Sequence, residues 1–300
     1  MGNRTIHTAA ALWVCLAVNL GTVYGQQPAS GAVSARDVLG RSVALTQSAR
    51  RIISLTPTAT ELLFAIGAGD QVVGVTEYCN FPPEAAKKTR VGGFSGATIS
   101  VEQIVVLKPD LVLLSGDMHG KVIALLENLG VRTFALEPAS FADVYRDIRA
   151  VGLLAGRTSR AEAVVADMER RIAAIPPWKA GEPRPGVFWE LWDDPLMTAG
   201  GSTFVSEAIA LAGGRNVFED LKERWPMVNL EQLMLRKPDW IIAGDDHGET
   251  LNAAAVARRS GWSALPAVRN GRVAVVDSDI VSRGGPRLAD AVEALAAILR

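Results

Sequence analysis

Short unbroken apolar runs alternate along the chain with stretches whose apolar positions recur every third or fourth residue. The runs are Arg51–Leu55, Val72–Thr76, Leu111–Leu114, Arg132–Leu136, Val187–Leu191, Trp240–Ala243 and Val273–Val276. They are too short for helices and do not alternate with polar residues, so they predict strands covered on both faces. Helices are predicted between them. One opens at Pro57-Thr58 and closes at Gly67 and Gly69. Others span Val122–Leu129, Phe204–Leu211 before Gly213-Gly214, Ala253–Arg259, and Pro286 to the end. A small hairpin over Asp37–Leu45 precedes the first strand. Strands alternating with helices predict an α/β fold with mainly parallel sheets.

One stretch occurs twice. Ser100–Gly116 contains Glu102-Gln103 and Lys108-Pro109-Asp110, and Asn229–Gly244 contains Glu231-Gln232 and Lys237-Pro238-Asp239, without a gap at an offset of 129 positions. Each copy reads as a helix opened by a capping box, Ser100 with Gln103 or Asn229 with Gln232, stopped by its proline and followed by a buried strand. Two distant copies predict two similar lobes with a ligand cleft between them. The segment between the lobes has no strand pattern. Phe141–Ala155 and Ser159–Ile175 are helical, Gly156-Arg157 permits a break, and Pro176, Pro177, Pro183 and Pro185 mark a boundary. The expected organisation is therefore a leader at 1–25, a first lobe with its hairpin at 26–140, a helical connector at 141–182 built on one long helix, and a second lobe at 183–300.

Composition narrows the class. The chain has 300 residues, 49% hydrophobic and 21% charged, with a formal net charge of -1. That is enough for two cores and too balanced for nucleic acid; the chain reads as a monomer. Arg4, the apolar run Ala9–Val18 and Val23-Tyr24-Gly25 form a secretory signal, too short for a membrane span. Cys15 lies inside that run, leaving Cys79 alone and excluding an intramolecular disulfide in the exported chain.

Few residues carry chemistry. There is no phosphate loop, nucleophile elbow or zinc-type cysteine pair. His119 and His247 sit in matching loops, Gly116-Asp-Met-His-Gly120 and Gly244-Asp-Asp-His-Gly248, each after a repeat strand. Carboxyl ends of parallel strands line ligand crevices, so the two histidines are candidates to grip a metal or a cofactor's metal; solvated turns are the plainer alternative. A metal-dependent hydrolase would use the same two histidines with Asp117 or Asp246, but the sequence offers no third firm ligand. Tyr78, Phe94, Trp192 and Trp225 fall in loops beside predicted strands of both lobes, as for a large flat apolar ligand. Glu102 and Glu231 suit the first turn of a helix, and recur at the same place in both lobes.

The ordered set Arg51–Glu61, Gly74–Tyr78, Phe81-Pro-Pro83, Glu102 with Lys108-Pro-Asp110, Gly213–Phe218, Trp225-Pro226 and Pro286-Arg287 resembles the helical-backbone class of ABC-transporter substrate-binding proteins. That class includes cobalamin, haem and ferric-siderophore binders, and the resemblance covers essentially Arg50–Arg300. It implies two α/β lobes on a long helix, no enzymatic activity and no resident cofactor. The expected cargo is cobalamin or a related corrinoid, with haem or a ferric siderophore as the alternative, delivered to an inner-membrane ABC permease. By resemblance, Tyr78 and Trp225 stand at ring positions that pack on the corrin, with Phe94 where cobalamin binders have a tryptophan. Met197 falls at a ring position, Ser115 close to another and Ile280 where a tryptophan is expected. Arg283 is the candidate cation in the cleft, His119 and His247 are candidate axial ligands to the cargo's metal, and Glu102 and Glu231 match the acids that meet permease arginines.

Overall fold

A computed structural model describes residues 1–2, 31–244 and 252–300; the rest of the leader and His247 lie outside the described residues. The first lobe opens with an antiparallel hairpin, β1 (Val33–Arg36) and β2 (Ser42–Leu45). It continues through β3 (Ile52–Ser54), α1 (Pro57–Ala65), β4 (Val72–Val75), β5 (Thr89–Arg90), α2 (Val101–Val106), β6 (Leu111–Ser115), α3 (Gly120–Asn128) and β7 (Thr133–Leu136). Its sheet has five parallel strands in the order β5-β4-β3-β6-β7.

The connecting segment resolves into α4 (Phe141–Leu154) and α5 (Thr158–Ala173). Gly156 breaks them apart at φ +67°, a left-handed conformation glycine adopts without strain. The two helices fold against each other: a Cβ on Gly152 would lie 2.4 Å from that of Ala161. Helix α4 lies on β1 of the first lobe, whereas α5, the long helix, carries the chain onward to the C-terminal helix.

The second lobe comprises β8 (Gly186–Glu190), a two-stranded hairpin of β9 (Trp192–Asp193) and β10 (Leu196–Met197), α6 (Phe204–Leu211), β11 (Arg215–Asn216), α7 (Leu230–Arg236), β12 (Trp240–Ala243), α8 (Ala253–Ala257), α9 (Pro266–Arg269), β13 (Val273–Val275), α10 (Ser278–Val281) and α11 (Leu288–Leu299). Its sheet is parallel, ordered β11-β8-β12-β13.

Successive side chains of a strand point to opposite faces, and both faces are buried. In β6, Leu111 and Leu113 enter one core while Val112 and Leu114 enter another. In β8, Val187 and Trp189 share the first of these cores, and Phe188 belongs to a third. Each lobe therefore has its own outer core, and the inner faces of both sheets meet one continuous core filled by α4, α5, α6 and α11.

The repeat has a structural explanation. Lys108 and Lys237 both adopt left-handed backbone, at φ 45° and 47°. The following proline disfavours a further helical residue, and the aspartate then grips a neighbouring strand. Asp110 Oδ2 accepts from the Arg50 and Arg51 N–H groups at 2.8 and 2.9 Å, entering β3. Asp239 Oδ2 accepts from Gly186 N–H at 2.7 Å, entering β8. The capping box is complete at Asn229/Gln232 and half-formed at Ser100/Gln103, because the Ser100 N–H donates instead to Val91.

Asp147 of α4 is 5% exposed, and its Oδ2 has no hydrogen-bond partner among the described residues. Burial is the main influence on it; Arg146 opposes that effect, Asp143 and Glu137 reinforce it, and the carboxyl is pushed up to about 6. An unfolded Asp ionises near ~3.9, so the folded state carries a penalty that is absent below about pH 4, grows towards pH 6 and stays at up to about 3 kcal/mol above it. Asp147→Asn should therefore raise the thermal midpoint at pH 7.5 and leave it unchanged at pH 4, as paired melting scans would measure.

Candidate functional site

The carboxyl ends of both parallel sheets converge on one cleft of about 660 Å³ between the lobes. That volume lies within the range of small-molecule sites, about 300–1,000 Å³. Tyr78 follows β4 and Phe94 lies between β5 and α2; their rings meet edge to face at 5.6 Å between centroids. Ser115 and Met118 come from the end of β6, and Leu136, Glu137 and Pro138 from the end of β7. The second lobe contributes Leu191, Met197, Phe204, Arg224 and Trp225, with Trp225 set edge-on to Phe204 at 6.1 Å. Tyr78 and Phe94 are 56% and 43% exposed, so their faces are open to a ligand.

The structure thus brings Tyr78, Phe94 and Trp225 together, with Ser115 and Met197. Trp192 is not a lining residue. Its indole N–H donates to the Asp194 carbonyl at 2.8 Å, turning the ring onto the tip of its own hairpin, while its cross-strand partner Met197 reaches the cleft. Ile280 packs against the central core. Arg283 lines the cleft, but its guanidinium is already engaged: Nη1 donates to Glu61 at 2.6 Å and to Asn80 at 2.8 Å, and Nη2 to Asp279.

His119 has a geometry different from that of an axial ligand. Its side chain is fully buried, Nδ1 accepts from the Ser115 N–H at 3.1 Å, and Nε2 donates to the Phe94 carbonyl at 3.0 Å. Both nitrogens are therefore used inside the protein. Burial lowers its pKa and outweighs the carbonyl of Phe94 and the charge of Glu137, favouring the neutral ring. The residue is a strut that fixes two lining residues, Ser115 and Phe94. Among the described residues no group of three or more His, Cys, Asp and Glu side chains is placed to hold a metal ion. Glu102 and Glu231 are both exposed in the first turns of α2 and α7, outside the cleft.

Glu137 was not singled out from the sequence, although the rule that drew attention to the end of β6 applies equally to the Glu137-Pro138 end of β7. Its Oε2 accepts from Ser115 Oγ at 2.6 Å, and Arg224 Nη1 lies 3.8 Å from its Oε1. Arg224 also donates to the Pro138 carbonyl at 3.0 Å. Both arginines lining the cleft are thus charge-compensated by carboxylates of the protein itself.

A family model described as periplasmic binding protein matches residues 52–280. This chain belongs to the periplasmic binding protein family. It is 33% identical over 272 residues to the ABC transporter substrate-binding lipoprotein YvrC of Bacillus subtilis, covering 88% of this chain and 84% of that protein. It is 30% identical over 257 residues to the vitamin B12-binding protein of Vibrio cholerae, covering 84% of this chain and 90% of that one. Among solved structures, the periplasmic haem-binding protein RhuT from Roseiflexus aligns at TM-score 0.71 with 27% identity, over 84% of this chain and 98% of its own. ABC substrate-binding proteins deliver small molecules to a membrane permease.

In this periplasmic binding protein the lobes are bracketed beside the cleft. Glu61 of α1, 3% exposed, accepts from Arg283 and also from Arg287 Nε and Nη2 at 2.8 and 2.7 Å. The Glu61 carboxylate thus closes an ion-pair bracket between residues 226 positions apart in the chain. Glu207 of α6 likewise accepts from the Phe141 N–H at 2.8 Å, at the start of α4. Leaving one side of a buried ion pair unpaired costs roughly 3–5 kcal/mol. Glu61→Gln should lower the urea midpoint accordingly, and an unchanged midpoint would show that the bracket adds no stability. A shared core and these brackets leave little freedom for rotation, so scattering curves of free and ligand-saturated protein should nearly coincide.

Proposed function

We propose that this protein is the exported binding component of an ABC importer and that its cleft takes a corrinoid, most simply cobalamin. The carrying observation is the cleft itself: edge-to-face rings on one lobe, Trp225 on the other, and two arginines already neutralised by the protein. A polyanionic ferric siderophore would call for unpaired guanidinium groups. An amide-fringed, uncharged macrocycle suits this lining better. Glu137 can accept from ligand amide N–H groups and repels ligand carboxylates. The basic and apolar start of the chain, Arg4 and Ala9–Val18, supports export by a cleaved leader. Similarity to the vitamin B12-binding protein of Vibrio cholerae supports the same reading.

Haem is the second reading, favoured by one observation: the open phenol of Tyr78. A tyrosinate can serve as an axial ligand to haem iron. Haem carboxylates would then have to compete with protein carboxylates, Glu137 and Glu61, that already face the two arginines of the cleft.

Calorimetric titration with cyanocobalamin and absorption spectra with haemin separate the two. Tight, saturable cyanocobalamin binding is expected, weakened at least ~tenfold by Trp225→Ala, the loss of about 1.4 kcal/mol or more of apolar burial. Unchanged affinity in that variant would overturn the site. A haemin spectrum abolished by Tyr78→Phe, without cyanocobalamin binding, would establish the second reading instead. Glu137→Gln should weaken cyanocobalamin binding and strengthen haemin binding, each severalfold.

A further inference from the structure

Beyond Met1, the two most exposed large hydrophobic side chains among the described residues are Val106, at 77%, and Leu235, at 76%. They are repeat mates, separated by the same 129 positions as Glu102 and Glu231. Their neighbours match as well: Val105 is 39% exposed and Met234 36%. The inward residues of the two helices, Ile104 and Leu233, are also mates and are both fully buried. Each lobe therefore presents a helix with one fully buried aliphatic anchor and two apolar side chains held outward.

The spacing from Glu102 to Val106, and from Glu231 to Leu235, is one helical turn, which stacks acid and aliphatic side chain on one face. Both helices start on the carboxyl-end side of their sheets, beside the cleft. The Ser100 N–H donates to Val91 just past β5, and the Val228 N–H donates to Leu196 in the β9–β10 hairpin. A singly exposed aliphatic residue needs no explanation. Here the two largest exposures fall on equivalent positions of two lobes, and each lies beside an equivalent acid.

On the importer reading given above, we propose that Val105-Val106 and Met234-Leu235 are two apolar feet that seat in matching apolar recesses of the permease. Its chemistry follows from the surface: a twofold membrane protein whose outer face carries, on each subunit, an apolar recess next to a basic side chain. Only a partner with two like faces meets the same pattern twice. The acids steer the encounter and make it salt-dependent. The feet exclude water around the carboxylates and set how long the complex lasts.

The test uses the full chain and its own ABC permease in proteoliposomes, with half-saturation of ATP hydrolysis as readout, in the presence of cyanocobalamin. Val106→Ser and Leu235→Ser are each expected to raise the half-saturating concentration roughly tenfold, the loss of one buried aliphatic side chain, and the double variant more. Leu129→Ser, at an exposed position whose repeat mate is Arg258, should change nothing. The losses should persist from 50 to 500 mM salt, whereas those of Glu102→Gln and Glu231→Gln should fade. Cyanocobalamin affinity and the melting midpoint should stay at wild-type values. A double foot variant that half-saturates like the unaltered protein would overturn the proposal while leaving the importer reading intact. Absence of stimulation by the unaltered protein would overturn the importer reading and this proposal with it.

Discussion

Everything in this structure depends on covering both faces of two parallel sheets. A parallel sheet leaves no face for water, so each lobe needs an apolar layer on either side. The outer layers are separate, one built around Ile104, Val122 and Leu126, the other around Leu233, Val256 and Trp262. The inner layer is shared, running from Leu111 and Phe134 through Val144 and Val165 to Trp189 and Leu295. Because the lobes complete one another's inner core, moving them apart would expose apolar surface in both. The cleft is consequently a preformed gap at the carboxyl strand ends, and the bracket at its edge holds the Glu61 carboxylate almost out of reach of water.

Much of this frame was legible in the sequence because it rests on local rules. Prolines 109 and 238 stop their helices, short apolar runs give buried strands, and the repeated Lys-Pro-Asp segment performs the same task in both lobes. What escaped was fixed by distant partners. The strands β5, β9, β10 and β11 have two residues each, too few to carry a period, and exist through the neighbours they pair with. Likewise Glu61 and Pro286-Arg287 stand out as parts of a family pattern, but nothing local says that they meet. The break at Gly156 could be read from the glycine, whereas the folding of α4 on α5 follows from the small pair Gly152 and Ala161.

The site was legible to a different depth. Rings in loops next to strand ends pointed to Tyr78, Phe94, Trp192 and Trp225, because carboxyl ends of parallel strands line the crevice; three of the four line the cleft, and Trp192 does not. The same rule, applied to histidine, made His119 a candidate ligand beside the plainer reading of a solvated turn. A histidine's role depends on what its two nitrogens meet, and Ser115 and Phe94 are adjacent to it only in the folded chain. Arg283 differs in the same way, its charge absorbed by Glu61 and Asp279. Position along the chain indicated which residues would gather near the cleft; hydrogen bonding determined which of them remained available.

On the importer reading, the duplication also separates two kinds of recognition. Inside the cleft the lobes have diverged, with Tyr78, Phe94 and Glu137 facing Trp225, Met197 and Arg224, as suits a ligand with unlike faces. On the rim they have stayed alike: acid, buried aliphatic and exposed aliphatic residues recur at equal spacing in α2 and α7. A cargo imposes no symmetry on the residues that hold it, whereas a partner made of two like halves imposes it on both lobes at once. Ligand choice can therefore change through residues at the strand ends without disturbing the rim. On that reading the rim's likeness follows from the partner it meets, since packing accounts for the inward Val101, Ile104, Leu230 and Leu233 being apolar but not for the outward Val106 and Leu235.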